Sequence, residues 1–418
     1  MGVFKHLDID ALPEGWEAAH FRDLTDYALG RTPPRNDASY WKDGTYPWVS
    51  ISDMEPFGVV TDTAEQVTEK AFERVFRGQL VPKGSLLMSF KLTIGRVARL
   101  GIPALHNEAI ISFMPEREKV DDRYLAYYLS QINYSDYQDK AIKGHTLNKG
   151  KIDALEIALP SLPEQQRIAQ VLSTVQEAIA QQERLIRTTT ELKQALMQKL
   201  FTEGLRGEAL KETEIGRVPE SWEVVKVMDT GTVVTGSTPS TSREDFYGGD
   251  YNLISPGDLD VTKYVNTVQK KLTALGFDQC RKLPKGAVLV GCIGNVGKVG
   301  IVADDRSATN QQINAIIPNE RYDGEFLYYA MDYNRKRLEA LAGKVTIPLV
   351  NKSNFERFQI AAPPINDQRL IAEALDAVDA RKAVAENKRN ALQDLFRTLL
   401  HELMTGKVRV GQGVSLDA

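Results

Sequence analysis

Two long stretches of the chain carry apolar residues at the three-to-four-residue spacing of an amphipathic helix. They span about residues 164–203 and 367–404, and neither contains Pro or Gly. Each stretch overshoots a domain of ordinary size, so we expect the two helices to pair as an antiparallel coiled coil. The apolar face of the first helix is expected to change its position around the helix near residues 188–190. The residues predicted to form the pairing faces are Ile168, Leu172, Ile179, Leu192, Leu196, Ile371, Leu375, Leu392, Leu395 and Leu399.

The segment before each predicted helix has a different pattern. Short apolar runs typical of strands, such as residues 86–90 and 288–290, alternate with Gly, Pro, Asn and Asp. A short helix is predicted near residues 123–131 and again near 325–333. Each half therefore begins with a compact globular domain of mixed α and β structure.

The two halves also repeat each other. Trp16 of Pro-Glu-Gly-Trp-Glu returns as Trp222 of Pro-Glu-Ser-Trp-Glu, and Gly30 of Gly-Arg-Thr-Pro returns as Gly236 of Gly-Ser-Thr-Pro. Pro-Ser-Leu-Pro-Glu-Gln at 160–165 returns as Pro-Pro-Ile-Asn-Asp-Gln at 363–368. The offsets stay between 202 and 206, which indicates one framework with small loop differences.

The predicted fold class is α+β, with two tandem-repeat globular α/β domains separated by two long antiparallel helices that form a coiled coil. We expect an approximate two-fold axis to relate the copies. The predicted boundaries are 1–160 and 205–363 for the globular domains, 161–204 and 364–405 for the helices, and 406–418 for a C-terminal tail.

Charge modifies this picture through its distribution. The formal net charge is −4, which by itself argues against a nucleic-acid binder. However, residues 74–107 contain six Lys or Arg and no acid, and residues 279–303 contain four Lys or Arg and no acid. Because these windows lie at matching places in the two halves, they indicate two surfaces for a polyanion.

Other sequence features narrow the function. The sequence shows no apolar run of membrane-spanning length and only two cysteines, so a reducing cytoplasm is expected. The Gly-rich stretch 291–299 lacks the spacing and the Ser or Thr of a phosphate loop. The five histidines have no metal-ligand spacing. We therefore expect no catalytic residue, no metal ligand and no cofactor in this chain.

The repeated box at 160–165 and 363–368, each copy leading into Ile-Ala, resembles the specificity subunits of Type I restriction-modification systems. The repeated Trp motif, the hinge 211–216 and the Leu-Met-Thr-Gly-Lys-Val-Arg-Val end at 403–410 strengthen the resemblance. It implies two target-recognition domains, held apart by two antiparallel helices, that each read one half of a bipartite duplex DNA site. The chain differs from the family pattern at Asp367, where Glu is usual, and in the stretch 382–390, which is polar for a coiled-coil face.

The resemblance also implies the partners. Two methyltransferase subunits would dock on the helices and supply S-adenosylmethionine, and possible restriction subunits would supply chemistry dependent on ATP and magnesium. The alternatives are a recognition module for a fused methyltransferase-nuclease, an independent nuclease with scattered carboxylates, and a structural dimeriser without DNA affinity.

Loops between strands are expected to carry the DNA contacts, with Lys and Arg on phosphates and Asn and Gln on adenine edges. The first-domain candidates are Lys91, Thr93, Arg96, Lys143, His145, Thr146, Asn148 and Lys149. The second-domain candidates are Asn295, Lys298, Asn310, Gln311, Gln312, Lys344, Thr346, Asn351 and Lys352. For the two repeated pairs Gly95/Gly297 and Asn148/Asn351, a role in shaping turns or capping helices stays open. Because the loops differ between the halves, we expect a non-palindromic, interrupted site.

Overall fold

The computed structural model describes residues 12–137, 147–343 and 347–410. The chain divides into two compact units, Met1–Gln182 with Lys388–Ala418, and Glu183–Asn387. Each unit contains one globular domain together with one half of each long helix. The division therefore falls in the middle of both helices rather than at their ends.

The first globular domain alternates short strands with short helices. Its strands are β1 (Glu17–His20), β2 (Tyr27–Leu29), β3 (Tyr46–Val49), β4 (Val59–Val60), β5 (Glu65–Val67), β6 (Leu86–Ser89), β7 (Val97–Leu100), β8 (Leu105–His106), β9 (Ile110–Phe113) and β10 (Glu156–Leu159). Its α-helices are α1 (Phe21–Leu24), α2 (Glu69–Arg74), α3 (Asp122–Gln131) and α4 (Lys149–Asp153), and the long helix α5 (Leu162–Glu203) follows. Single 3₁₀ turns lie at Ala38–Tyr40, Ile51–Asp53 and Tyr134–Tyr137.

The second globular domain repeats this order after a hairpin, β11 (Leu210–Thr213) with β12 (Gly216–Pro219). Its strands are β13 (Glu223–Lys226), β14 (Gly231–Thr235), β15 (Tyr247–Ile254), β16 (Tyr264–Val265), β17 (Lys270–Leu272), β18 (Lys282–Leu283), β19 (Val288–Gly291), β20 (Val299–Val302), β21 (Ser307–Thr309), β22 (Ile313–Pro318) and β23 (Gln359–Ala362). Its helices are α6 (Val227–Thr230), α7 (Ala274–Asp278), α8 (Gly324–Tyr333), α9 (Arg335–Ala342), α10 (Lys352–Glu356) and the long α11 (Ile365–Met404), with a 3₁₀ turn at Glu244–Phe246.

The five-stranded sheets of the two domains match strand for strand, and the smaller sheet has one more strand, β18, in the second domain. A five-stranded sheet has the order β2-β9-β6-β7-β4 in the first domain and β14-β22-β19-β20-β16 in the second. A smaller sheet has the order β5-β3-β8 in the first and β17-β15-β21-β18 in the second. The outer pairs β1-β10 and β13-β23 join the two ends of each domain. The predicted tandem α/β repeat is thus confirmed.

Both long helices pack on the globular domain within each unit. In the first unit, Ile168 and Leu172 of α5 share a core with Leu400 and Leu403 of α11 and with buried Trp16. In the second unit, Leu200 and Phe201 of α5 share a core with Ile371, Leu375 and buried Trp222. The start of each long helix therefore packs beside the end of the other, which is the antiparallel order that the sequence predicts.

The repeated Glu/Asp-Gln box fixes the start of each long helix. Buried Glu164 forms a two-pronged ion pair with Arg409, with N–O distances of 2.6 and 2.8 Å. Buried Asp367 pairs with Arg206 through one nitrogen at 2.7 Å. Both arginines follow the end of the opposite long helix. The shorter Asp thus preserves the contact between the two helix ends while giving up one hydrogen bond.

The pairing faces of the helices differ from the prediction at two leucines. Burial follows an unbroken four-three spacing along α5, through Ile179, Gln182, Ile186, Thr189 and Lys193. The predicted change in the position of the apolar face is therefore wrong, because polar residues continue the apolar pattern through the middle of the helix. Lys193 is accommodated there by an ion pair with Asp379 of α11 at 2.7 Å.

Leu192 and Leu395 consequently lie outside the buried faces. Their exposed fractions are 51% and 45%, and their neighbours Lys193 and Phe396 occupy the inward positions instead. Among the other predicted positions, Leu196 and Leu399 pack against the two cores, and Ile179 and Leu392 are half-buried.

Candidate nucleic-acid interface

Backbone hydrogen bonds gather distant segments of the first domain around the β6–β7 hairpin. The N–H of Phe90 donates to the carbonyl of Ala109 at 2.9 Å, and the N–H of Leu147 donates to the carbonyl of Phe90 at 3.0 Å. The N–H of Gly30 donates to Ile110 at 3.1 Å. We name residues 30–32, 90–97, 106–110 and 147–153 the first loop cluster.

The second domain builds the equivalent arrangement around the β19–β20 hairpin. The N–H of Cys292 donates to Gln312, and the N–H of Val350 donates to Cys292, both at 2.8 Å. The N–H of Gly236 donates to Ile313 at 3.1 Å. We name residues 236–238, 292–299, 309–313 and 348–356 the second loop cluster. Most of the predicted DNA-contact residues that the structure describes lie in these two clusters.

Two repeated glycines shape the hairpins. Gly95 and Gly297 have φ values of +81° and +82°, which favour glycine. A Cβ added at Gly95 would come within 2.3 Å of the Tyr134 ring, and one at Gly297 within 2.6 Å of Arg335. The turn-shaping role for this pair is therefore the one that the structure supports.

A second repeated pair was not among the predicted site residues. A Cβ on Gly30 would lie 1.9 Å from the carbonyl oxygen of Asn107, and one on Gly236 would lie 2.1 Å from that of Asn310. The recurrence of glycine at an offset of 206 is the sequence signal that marks this close approach. These glycines hold the loops carrying Thr32 and Thr238 against the rest of each cluster.

The threonines of these loops contact the most exposed position of the neighbouring segment. The hydroxyl of Thr32 donates to the carboxylate of Glu108, and the hydroxyl of Thr238 donates to Oε1 of Gln311 at 2.5 Å. Glu108 and Gln311 occupy equivalent positions in the repeat. The same framework therefore presents an acid in one domain and an amide in the other.

The predicted asparagine pair caps helices. Oδ1 of Asn148 accepts from the N–H of Lys151 at 3.0 Å, and Oδ1 of Asn351 accepts from the N–H of Asn354 at 2.8 Å. Asn310 has a similar local role, because its Oδ1 accepts from the N–H of Gln312 and its amide donates to Oε1 of Gln312, both at 3.0 Å. Of the Asn310–Gln312 run, the exposed side chain is that of Gln311.

The predicted Lys and Arg residues differ in the contacts that they make within the protein. Arg96 is half-buried and donates to the carbonyls of Ile51 and Met54 at 3.1 and 3.2 Å, so it ties the hairpin to the domain. The Lys91 ammonium lies 5.4 Å from the centre of the Phe90 ring. Lys352 forms an exposed ion pair with Glu356 at 3.4 Å.

Other predicted residues are placed as follows. Lys298 is half-buried beside the second hairpin, and Lys149, Thr93 and Asn295 are exposed. The remaining predictions, Lys143, His145, Thr146, Lys344 and Thr346, lie outside the described residues.

Two titratable groups in the clusters are buried. Burial lowers the pKa of His106 to about 4, although hydrogen bonds with the backbone of Asn107 and Ile110 act in the opposite direction. Burial raises the pKa of the Cys292 thiol to about 11. His106 is therefore neutral at pH 7 and contributes no charge to the surface. Within the described ranges, no group of three or more His, Cys, Asp or Glu side chains has the arrangement of a metal site.

The fold and the loop clusters define a class of protein with two tandem recognition-type domains joined by a helix pair. The family described as "Type I restriction modification DNA specificity domain" matches residues 13–188 and again residues 219–394. The chain belongs to this family and is a specificity subunit of a type I restriction-modification system, with a recognition role rather than a catalytic one. In the described part of the chain, no helix is both long and apolar enough to span a membrane.

Individual relatives agree over the whole length. The chain is 26% identical to the putative type I restriction enzyme MjaX specificity subunit of Methanocaldococcus jannaschii, covering 97% of each protein. It is 24% identical to the MjaVIII specificity subunit of the same organism, covering 97% of this chain and 96% of the relative. The fold is similar to the S subunit from M. genitalium, with a TM-score of 0.60, 14% identity, and coverage of 93% and 96%. The fused methyltransferase-nuclease and the independent nuclease are not favoured.

Proposed function

We propose that the two loop clusters are the DNA-reading surfaces and that each reads one half of a bipartite, non-palindromic duplex site. The observation that carries this proposal is the equivalent set of backbone hydrogen bonds that assembles both clusters from four separate segments. Loops on a rigid sheet are a common place for binding residues, because their side chains vary without disturbing the framework.

The side chains of the two loop clusters fall into three groups, which would contact phosphates, contact base edges or hold the loops in place. Lys91, Lys149 and Lys298 would contact phosphates, where a flexible ammonium needs little geometric precision. Gln311 would contact a base edge, because its exposed amide keeps its N–H donors and a second lone pair on Oε1 beside the bond from Thr238, and adenine is read by a donor and an acceptor together. Asn148, Asn310 and Asn351 would act indirectly by holding the loops, since their side chains already bond to the backbone.

The differences between the clusters support unequal half-sites. The hairpin tip reads Lys91-Leu92-Thr93 in the first domain and Ile293-Gly294-Asn295 in the second. Glu108 of the first cluster corresponds to Gln311 of the second. Since different donors and acceptors select different bases, the same framework would recognise two different sequences.

The long helices would dock two methyltransferase subunits. Exposed Leu192 on α5 and exposed Leu395 on α11 are separated by 203 residues, the offset of the repeat. Each is flanked on its helix face by an exposed Thr and an exposed Ala, at 188 and 195 for α5 and at 398 and 391 for α11. Two equivalent apolar strips support two equivalent partners.

Cofactors would then reside on the partners. Methyltransferase subunits would bring S-adenosylmethionine, and restriction subunits, where present, would bring ATP and magnesium. The assembly would work in the cytoplasm, where a bacterial-type cell keeps its DNA.

Methylome sequencing tests the proposal. Cells that express the full chain with its methyltransferase partner should gain adenine methylation at one interrupted, non-palindromic motif. Cells that express the partner without this chain are the control and should lack that motif. A continuous or palindromic motif would contradict the reading of two unequal halves.

A further inference from the structure

Leu92 lies at the tip of the β6–β7 hairpin in a backbone conformation that opposes a side chain. Its φ is +62°, in the left-handed region that is strained for residues with a Cβ. Its side chain is 77% exposed, the largest exposed fraction among the large apolar side chains in the described ranges. Both the backbone and the side chain are therefore unfavourable at this position in the free protein.

The repeat provides an internal comparison. The equivalent tip residue in the second domain is Gly294, with φ of +73°. The two hairpins share the bond that closes the turn, because the N–H of Gly95 donates to Ser89 and the N–H of Gly297 donates to Gly291, both at 2.9 Å. A Cβ at Gly294 would meet nothing within 4 Å. The tip thus has room for a side chain, but glycine is the residue that adopts its backbone conformation without strain.

We propose that Leu92 is a specificity-determining residue that contacts the 5-methyl group of a thymine in the major groove of one half-site. This inference rests on the proposed DNA-reading role of the first loop cluster. Contacts inside the described chain do not compensate the strained, exposed leucine, whereas burial against a base methyl group would.

Groove width favours the major groove for the loop 90–96 that joins β6 to β7. The two strands are buried inside the five-stranded sheet, so only this loop would enter the DNA, and the minor groove is about half as wide as the major groove. Thymine presents its methyl group only in the major groove, and apolar side chains are its usual partners. Lys91 and Thr93 on either side of the tip are placed to contact the phosphate and an adjacent base edge.

The test replaces thymine by deoxyuridine, which lacks the methyl group and pairs identically. The full chain with its methyltransferase partner is titrated with duplexes in which each thymine of the site is replaced singly. One replacement, confined to one half-site, should weaken binding about fourfold, the cost of leaving one methyl group in water. The Leu92→Gly variant should bind the unmodified duplex and that deoxyuridine duplex equally.

Controls separate this role from folding. Leu92→Gly relieves backbone strain, so its melting temperature should equal or exceed that of the unmodified chain. Val384→Ala, which removes an apolar side chain that is 67% exposed on α11, should keep the discrimination between thymine and uracil.

Three results would overturn the proposal: equal binding of every thymine and uracil duplex by the unmodified chain, persistence of the discrimination in Leu92→Gly, or half-sites that lack thymine. A rise in 2-aminopurine fluorescence that depends on Leu92 would also overturn it, since that signal reports insertion between bases. Absence of any bipartite site would instead contradict the proposed function itself.

Discussion

Buried Gln165, near the start of α5, accepts a hydrogen bond from the backbone N–H of Asp121 at 2.9 Å. The same amide donates to the carbonyl of Pro160 at 2.9 Å. Gln368 repeats both contacts in the second unit, with Asp323 at 2.9 Å and Pro363 at 2.8 Å. The glutamine of the repeated box therefore joins the start of each long helix to the helix α3 or α8 of its own domain.

Replacing Gln165 by Leu should destabilise the protein by roughly 2–3 kcal/mol, because buried backbone donor and acceptor groups lose their partners. Equilibrium unfolding in urea, followed by tryptophan fluorescence, measures the change. Gln166→Leu is the matched control, since Gln166 is the exposed neighbour and should cost less than about 0.5 kcal/mol. Equal decreases in the free energy of unfolding of the two variants would show that the buried hydrogen bonds of Gln165 contribute little to stability.

His106 should make stability depend on pH in a defined window. Its pKa is about 4 in the folded chain and about 6.5 when unfolded, so the unfolded state binds a proton first as pH falls. The contribution of neutral His106 to the free energy of unfolding is fully present above pH 6.5. As the pH falls towards 4 the protein loses up to about 3 kcal/mol of this stability. His106→Gln should show a shallower decline of melting temperature between pH 6.5 and 4. Parallel declines would show that His106 does not titrate in this way.

Lys298 and Gln311 should affect DNA binding in different ways. Lys298→Ala should weaken binding to all sequences and reduce the slope of log K against log salt by about one. Gln311→Ala should relax base preference in one half-site and leave that slope unchanged. Fluorescence anisotropy across a salt series measures both effects, with exposed Lys199→Ala on α5 as the control. A changed base preference in Lys298→Ala would argue against a phosphate contact.

Leu192 and Leu395 should matter for assembly and not for folding. Leu192→Asp should leave the circular dichroism spectrum and the melting temperature nearly unchanged, because the side chain is 51% exposed. Native mass spectrometry should show one methyltransferase subunit bound instead of two, and the double variant with Leu395→Asp should bind none. Val384→Asp, at a position of α11 that is 67% exposed, should keep both subunits. Two bound subunits in the double variant would contradict docking through these strips.

The sequence by itself determined the repeat, the two long helices, one short helix in each domain and the family. The predicted helix at 123–131 is α3 (Asp122–Gln131), and the one at 325–333 is α8 (Gly324–Tyr333). Local periodicity and turn residues are sufficient for this, because helix and strand patterns depend on neighbouring positions. The motif Gly-x-Thr-Pro and the Glu/Asp-Gln box were visible as repeats, but not the contacts they make.

Tertiary structure decided which of the predicted residues are free to bind. Arg96 carries the charge expected of a phosphate contact, yet two backbone carbonyls distant in sequence engage it. Leu192 fits an apolar stripe, yet Lys193 occupies the inward position because the four-three spacing runs through polar residues. The sequence reveals the charge of Arg96, whereas its carbonyl partners lie 45 and 42 residues away along the chain, and only the folded structure brings them together.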